Sequence, residues 1–356
     1  MQLPESEQLT TGCLGRIFDK TVATYKYFWF LSLMQEHART GNLRMDVWEL
    51  VIRMVANAWY PIHYFRLSFG KSDSLFEIVT ELQKETDLPI DANQKIIIEE
   101  LRGRLGEQTI RSRLRVLTLN VPYRFLRPWI DTSDDREMIC RSQTLENSCL
   151  YALYKDRSSF YIELNPSWDS YLHAHYGILI DFTYWNLTQF LQVRNPNVPA
   201  ISNKLIKSET RAPLTAQHRY WDTVMQIAGP IKCIYTGRQL HIGEYELDHF
   251  IPWSFVSHDL LWNLVPADGS VNSSKSDRLP DLGRYLPKMA HLQYHALQIY
   301  LEAGRDSRIL EDYLSLGHTP RELVLMDEDN FLELYKRTFG PMNQIALNMG
   351  FESWKY

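Results

Sequence analysis

Paired cysteines are missing from this chain. Cys13, Cys140, Cys149 and Cys233 stand apart, and none forms a CxxC pair. That spacing argues against a four-cysteine zinc site and suggests no disulfide framework, so a reducing cytoplasm is the expected setting. An excess of positive charge is missing too. There are 38 lysines and arginines against 43 aspartates and glutamates, a net charge of -5. A protein that binds nucleic acid over its whole surface is usually basic. Any nucleic-acid contact here must therefore be a local patch or be mediated by a metal. Long hydrophobic runs are absent: the most apolar stretch, Tyr27 to Met34, falls far short of the roughly 20 residues that span a bilayer. The opening residues MQLPESEQLTTG have neither the basic nor the apolar region of a signal peptide. No membrane association is expected. Solenoid-type repeats and low-complexity tracts are also lacking.

What is present is the composition of a globular protein, 45% hydrophobic and 13% aromatic over 356 residues, enough for two ordinary domains or one large one. Val22, Tyr25, Phe28, Trp29 and Leu33 recur at helical spacing and predict a buried helix over 20–39, its rings read as core rather than as a base-stacking platform. Residues 44–60 repeat the pattern, and Pro61 is expected to stop that helix. Further helices are expected over 75–86 and 92–104, the second capped by Asp91. Residues 116–121 and 159–164 are rich in β-branched and aromatic residues and predict strands. Residues 171–192 read as helix. The proline-bearing polar stretch 193–213 marks the expected domain boundary, followed by a short helix over 217–227.

Seven arginines lie between Arg102 and Arg127, with Glu107 the only acid among them. Such a stretch suggests a phosphate-binding patch, with Arg111, Arg113 and Arg115 sharing one face of a strand. The alternative is a solvated face paired with the acidic run Asp131–Glu137. Gly70–Lys71–Ser72 resembles the end of a phosphate-binding loop, but Phe65 occupies the place of the required glycine. His291 and His295 form HxxxH, yet Leu292 stands where a metalloprotease needs glutamate. His241 and His258 read as surface histidines.

The most informative segment runs from Lys232 to Pro280. Asp248 and His249 are adjacent at the end of a strand-like run, Tyr245 to Phe250, and Pro252 supplies a bend. A second short strand is expected around Trp262 to Val265, then a polar turn over 267–270, then a short helix starting near Asn272. This ββα unit can bring Asp248, His249 and Asn272 together. The residue types suit phosphodiester hydrolysis. A hard divalent ion needs few protein oxygen ligands because it keeps several waters. A histidine can take a proton from the attacking water. A second asparagine can brace the loop between the strands.

At these residues the segment resembles the HNH, or ββα-metal, nuclease family, and most closely the HNH domain of the RNA-guided CRISPR effector nucleases. The shared pattern is Cys233 to Gly237, then LDHFIPWSF from Leu247 to Phe255, then Trp262–Asn263, then NSSKSD from Asn272 to Asp277. The resemblance implies that Asp248 and Asn272 hold the metal, Mg2+ or Mn2+. It makes His249 the general base and Asn263 the residue that constrains the loop. Lys275 would sit near the phosphate. From the residues alone, Lys275 and Arg278 read either as phosphate contacts or as simple solvated helix charges. Two departures stand out. Thr236 replaces the second cysteine of a zinc-binding pair, so no structural zinc is expected. Asn272 stands where many members have histidine.

The likeness covers about 50 residues. Neither a second nuclease domain nor a long basic RNA-binding lobe is apparent outside it, so the chain is read as a stand-alone HNH protein. The expected fold is α+β and mainly helical. A helical N-terminal domain with a small sheet would occupy 1–205 and serve substrate binding, partner docking (another protein or a second copy) or regulation. The ββα-metal core would occupy 206–290, and C-terminal helices 291–356. The expected activity is a single-strand cut in DNA per site, in a bacterial defence setting. RNA cleavage and a non-enzymatic binding scaffold are the alternatives.

Overall fold

Apolar residues three and four apart make most of this chain helical. A computed structural model describes residues 3–157, 159–207, 212–305 and 308–356. The chain is α+β and mainly helical, and it divides into two units. The first runs to Pro196 and includes Ile201–Lys207; the second holds Asn197–Ala200 and the rest of the chain. Among the described residues no helix is long and apolar enough to cross a membrane.

The first unit opens with α1 (Thr11–Gly15), α2 (Tyr25–Thr40), β1 (Arg44–Asp46) and α3 (Val47–His63). Then come α4 (Ser74–Thr86), α5 (Gln94–Gly103), α6 (Gln108–Thr118), α7 (Val121–Arg124) and α8 (Asp135–Gln143). It closes with β2 (Tyr151–Lys155), β3 (Phe160–Leu164), α9 (Pro166–Ala174) and α10 (Tyr176–Arg194). The strands form an antiparallel sheet in the order β1-β3-β2. The aromatic helix α2 is core, with Trp29 and Phe30 fully buried.

Several expectations need correction here. Residues 116–121 are not a strand. Ile110, Leu114 and Leu117 are buried at helical spacing, while Val116 and Leu119 are exposed. The helical period over 108–118 outweighs the β-branched composition of its end. Arg111, Arg113 and Arg115 consequently share no strand face. On α6, Arg111 and Arg115 lie one turn apart and Arg113 points elsewhere. Arg113 pairs with Glu81 at 2.8 Å, and the Arg111 guanidinium lies 4.4 Å from the Trp48 ring centroid. Arg102 pairs with Glu49 and Arg104 with Glu107, so their acids are not drawn from Asp131–Glu137.

Pro61 lies inside α3, which continues to His63. So close to the helix end, the lost N–H removes a single hydrogen bond. Asn93, not Asp91, caps α5, accepting from the Lys95 N–H at 2.9 Å. The helix expected over 171–192 is two helices meeting at His175, the first capped by Asn165 with Pro166 at its start.

The second unit begins with α11 (Thr215–Ala228) and a small ribbon of β4 (Ile231–Lys232) and β5 (Gln239–Leu240). Next are β6 (Glu246–His249), α12 (Trp253–Val256), a 3-10 turn (Leu261–Asn263), β7 (Leu264–Ala267) and α13 (Gly269–Lys275). Helix α14 (Leu282–Glu302), a 3-10 segment (Arg308–Leu316), α15 (Pro320–Leu325) and α16 (Glu328–Asn348) complete it. Strands β6 and β7 pair antiparallel, with Asp248 opposite Val265 and His249 opposite Leu264. Phe250, Phe255 and Trp262 of the hairpin share one core with Tyr285, Tyr335 and Phe339 of the later helices. One helix, α14, passes straight through residue 290.

Candidate active site

Strand β6 carries Glu246, Leu247, Asp248 and His249 in order. Alternation sends Leu247 to the apolar side and leaves Glu246 and Asp248 on the other. Helix α13, whose start is capped by Asp268 accepting from Ser270, runs beside that polar face. Two polar rungs join strand to helix. Asn272 Nδ2 donates to Glu246 at 2.8 Å, and Lys275 Nζ donates to Asp248 Oδ1 at 2.9 Å. The approach at the helix start is close: a Cβ on Gly269 would come within 3.0 Å of Glu246 Oε1.

Asp248 is 3% exposed, and both its oxygens accept. Oδ1 takes Lys275, and Oδ2 takes the Tyr235 hydroxyl at 2.5 Å. Burial first, and then the Asp248 carboxylate, push the Tyr235 phenol well above its ordinary value, so it stays a donor. Lys275 also donates to the His249 carbonyl at 2.7 Å. The expectation that Lys275 lies by a phosphate is thereby corrected: its side chain is fully buried and holds the Asp248–His249 backbone in place. Arg278, partly exposed, turns back to donate to the Ser274 carbonyl.

His249 ends the strand with its ring 10% exposed. Its Nε2 lies 2.8 Å from Asp259 Oδ1. A carboxylate acceptor there selects the tautomer with the proton on Nε2. Nδ1, which has no partner among the described residues, is then the basic nitrogen.

Asn263 is completely buried and bridges the connecting loop. Its Oδ1 accepts from the Ile251 N–H at 2.9 Å, its Nδ2 donates to the Ile251 carbonyl at 2.9 Å, and its own carbonyl accepts from Phe250 at 2.8 Å. The far end of the loop is held as well. Asp312 accepts from the Leu261 N–H at 2.8 Å, and Gln293 donates to the Leu261 and Leu264 carbonyls. Both ends of the segment that carries Asp259 are therefore tied down.

Oxygen donors near this face are Asp248, Asn272 and Glu246. They suit a hard divalent cation that retains water ligands. Asn272 Oδ1 has no partner among the described residues, and an ionised carboxylate can accept beyond the two bonds Asp248 makes. Lys275 would compete with a divalent ion for that carboxylate. Cys233 is buried and free, with no second cysteine beside it. His291 and His295 lie away from this constellation and meet Glu328 at the surface.

Asp259, Tyr235 and Glu246 were not singled out by the sequence reading. Glu246 was accessible from strand alternation. Tyr235 lies in the Cys233–Gly237 stretch that carried the resemblance. Asp259 lies in a loop whose path no local pattern specifies.

A strand hairpin followed by a short helix, with Asp248 and Asn272 on the polar face of β6 and His249 at the strand's end, has the layout of a nuclease unit of the ββα type. Residues 233–281 match the family model described as HNH endonuclease, and this stretch is an HNH endonuclease domain. That family generally uses a divalent metal ion and acts on nucleic acid. No curated protein and no solved structure matches the chain.

Proposed function

We propose that the chain is a divalent-metal-dependent endonuclease that hydrolyses phosphodiester bonds in DNA, with His249 as general base. The observation that carries this reading is the His249–Asp259 contact. It orients the ring and leaves Nδ1 to take a proton from water attacking phosphorus. Asp259 then stabilises the imidazolium that forms, as carboxylate partners of catalytic histidines do. Asp248 and Asn272 would hold the metal, which supplies charge neutralisation at the phosphate and the departing oxygen. Lys275 and Tyr235 position Asp248, and Asn263 fixes the loop behind His249. Attack by water with the 3′ oxygen leaving yields 5′-phosphate and 3′-hydroxyl ends, the products the HNH resemblance implies.

One such site cuts one strand, so a double-strand break needs a second copy or a second encounter. The N-terminal unit is the candidate for substrate selection or partner docking. A bacterial defence role in the cytoplasm is the setting this reading favours, by analogy with other HNH nucleases.

The test is cleavage of supercoiled plasmid and of RNA with Mg2+ or Mn2+, by wild type and His249→Ala. Nicking of plasmid by wild type, lowered about 10²–10⁴-fold in the variant, is expected. Equal cleavage by both proteins would refute the base assignment. Cleavage of RNA alone would move the substrate to RNA. No cleavage of either by wild type would favour the scaffold alternative.

A further inference from the structure

The N-terminal unit contains a cavity of about 370 Å³, within the roughly 300–1,000 Å³ range of small-molecule sites. Its charge is opposite to that of the chain as a whole. Lys20, Lys26, Arg124 and Arg127 line it and, among the described residues, no carboxylate does, although the net charge of the protein is -5. Asp73, between the lining residues Ser72 and Ser74, turns its oxygens to the backbone N–H groups of Thr24 at 2.6 Å and Leu75 at 3.1 Å. Lys20, Arg124 and Arg127 make no ion pair among the described residues, and Arg124 and Arg127 are exposed.

The cations also press on one another. Lys26 donates to the Ile17 carbonyl at 2.9 Å. Burial, and then the Arg127 guanidinium, hold its pKa below the ordinary lysine value, against an opposing pull from Asp19. An anion placed among these groups would relieve that repulsion. The rest of the wall differs in character: Val116, Leu117 and Val121 supply an apolar side, and Tyr25 an aromatic ring.

We propose that this cavity binds a phosphate-bearing small molecule of nucleotide type. Guanidinium groups recognise phosphate bidentately, which suits Arg124 and Arg127 to the phosphates. The apolar side suits a flat base. The proposal does not depend on the nuclease reading, because it rests on the other unit.

The experiment is isothermal titration of the full chain with ATP and with inorganic pyrophosphate. Wild type is compared with the double variant Arg124→Ala/Arg127→Ala, and with Arg136→Ala as an exposed arginine outside the cavity. Circular dichroism and thermal melting of each variant check that it remains folded. ATP is expected to saturate at one per chain, with affinity at least tenfold weaker in the double variant and unchanged in Arg136→Ala. Pyrophosphate is expected to compete with ATP. Failure of both probes to saturate overturns the proposal, as does unchanged ATP binding by the double variant. A single-stranded oligonucleotide provides the third arm. If it binds more tightly than ATP and loses as much affinity in the double variant, the cavity is part of a nucleic-acid groove and the small-molecule proposal falls.

Discussion

The buried Lys275 ammonium donates to Asp248 at 2.9 Å and to the His249 carbonyl at 2.7 Å, so one side chain from α13 clamps two successive residues of β6. Removing one member of a buried ion pair leaves the other charge without compensation, a loss of about 3–5 kcal/mol. Lys275→Met should therefore lower the urea midpoint of the protein sharply. Asp248→Asn combined with Lys275→Met should recover much of that stability while remaining inactive on plasmid. A double variant as unstable as the sum of the two single ones would show that the pair is not coupled.

Asp259 is expected to position His249 rather than to touch substrate. Asp259→Asn should lower kcat by up to about 10⁴-fold, the scale for the carboxylate partner of a general-base histidine, with KM unchanged. Asp259→Glu should restore part of the loss. A rise in KM at constant kcat, read from initial rates on a labelled duplex, would reassign Asp259 to substrate binding.

Asn263 carries three hydrogen bonds across the loop from inside the core. Asn263→Ala leaves the Ile251 N–H and carbonyl buried without their partner, each loss costing about 1–3 kcal/mol. The expected result is a lower melting temperature together with faster hydrogen exchange at residues 250–263. Unaltered exchange there would remove the loop-fixing role.

Burial lowers the His63 pKa from 6.5 to about 4, opposed by its contact with the Val79 carbonyl. Below pH 6.5 the unfolded chain takes up a proton that the folded protein resists. The contribution of neutral His63 is complete above pH 6.5 and is lost as the pH falls toward 4, amounting to roughly 3 kcal/mol over that window. Urea denaturation of wild type and His63→Gln at pH 7.5, 5.5 and 4.5 should show a smaller acid loss in the variant. Parallel pH dependences would contradict the burial effect.

Periodicity was a good guide wherever one face of a long segment is apolar. The aromatic helix α2 and the core of α3 follow from Trp29, Val51 and Val55 recurring at helical spacing. It misled at 116–121, where a short β-branched stretch hid the end of α6, and at His175, where two helices meet with no break in hydropathy. Strand β1 was read as the first turn of the helix expected over 44–60, and β2 was not predicted, although β3, of the same length, was. In the candidate site, Asp248, His249, Asn263 and Asn272 could be named as candidates because their types and spacing recur together in the HNH segment.

The sequence by itself determined the HNH segment, its candidate residues Asp248, His249, Asn263 and Asn272, and the order strand, strand, helix, since all are properties of a contiguous stretch. Only the tertiary structure decided their partners. Lys275 looked like a solvent-facing phosphate contact and is instead sealed against Asp248, because α13 lies along the polar face of β6. Asp259 was not singled out in the sequence and meets the His249 ring, because Asn263, Gln293 and Asp312 anchor the two ends of its loop. Helix and strand periods act over a few residues, whereas such pairings depend on how separate elements dock, which no local spacing encodes.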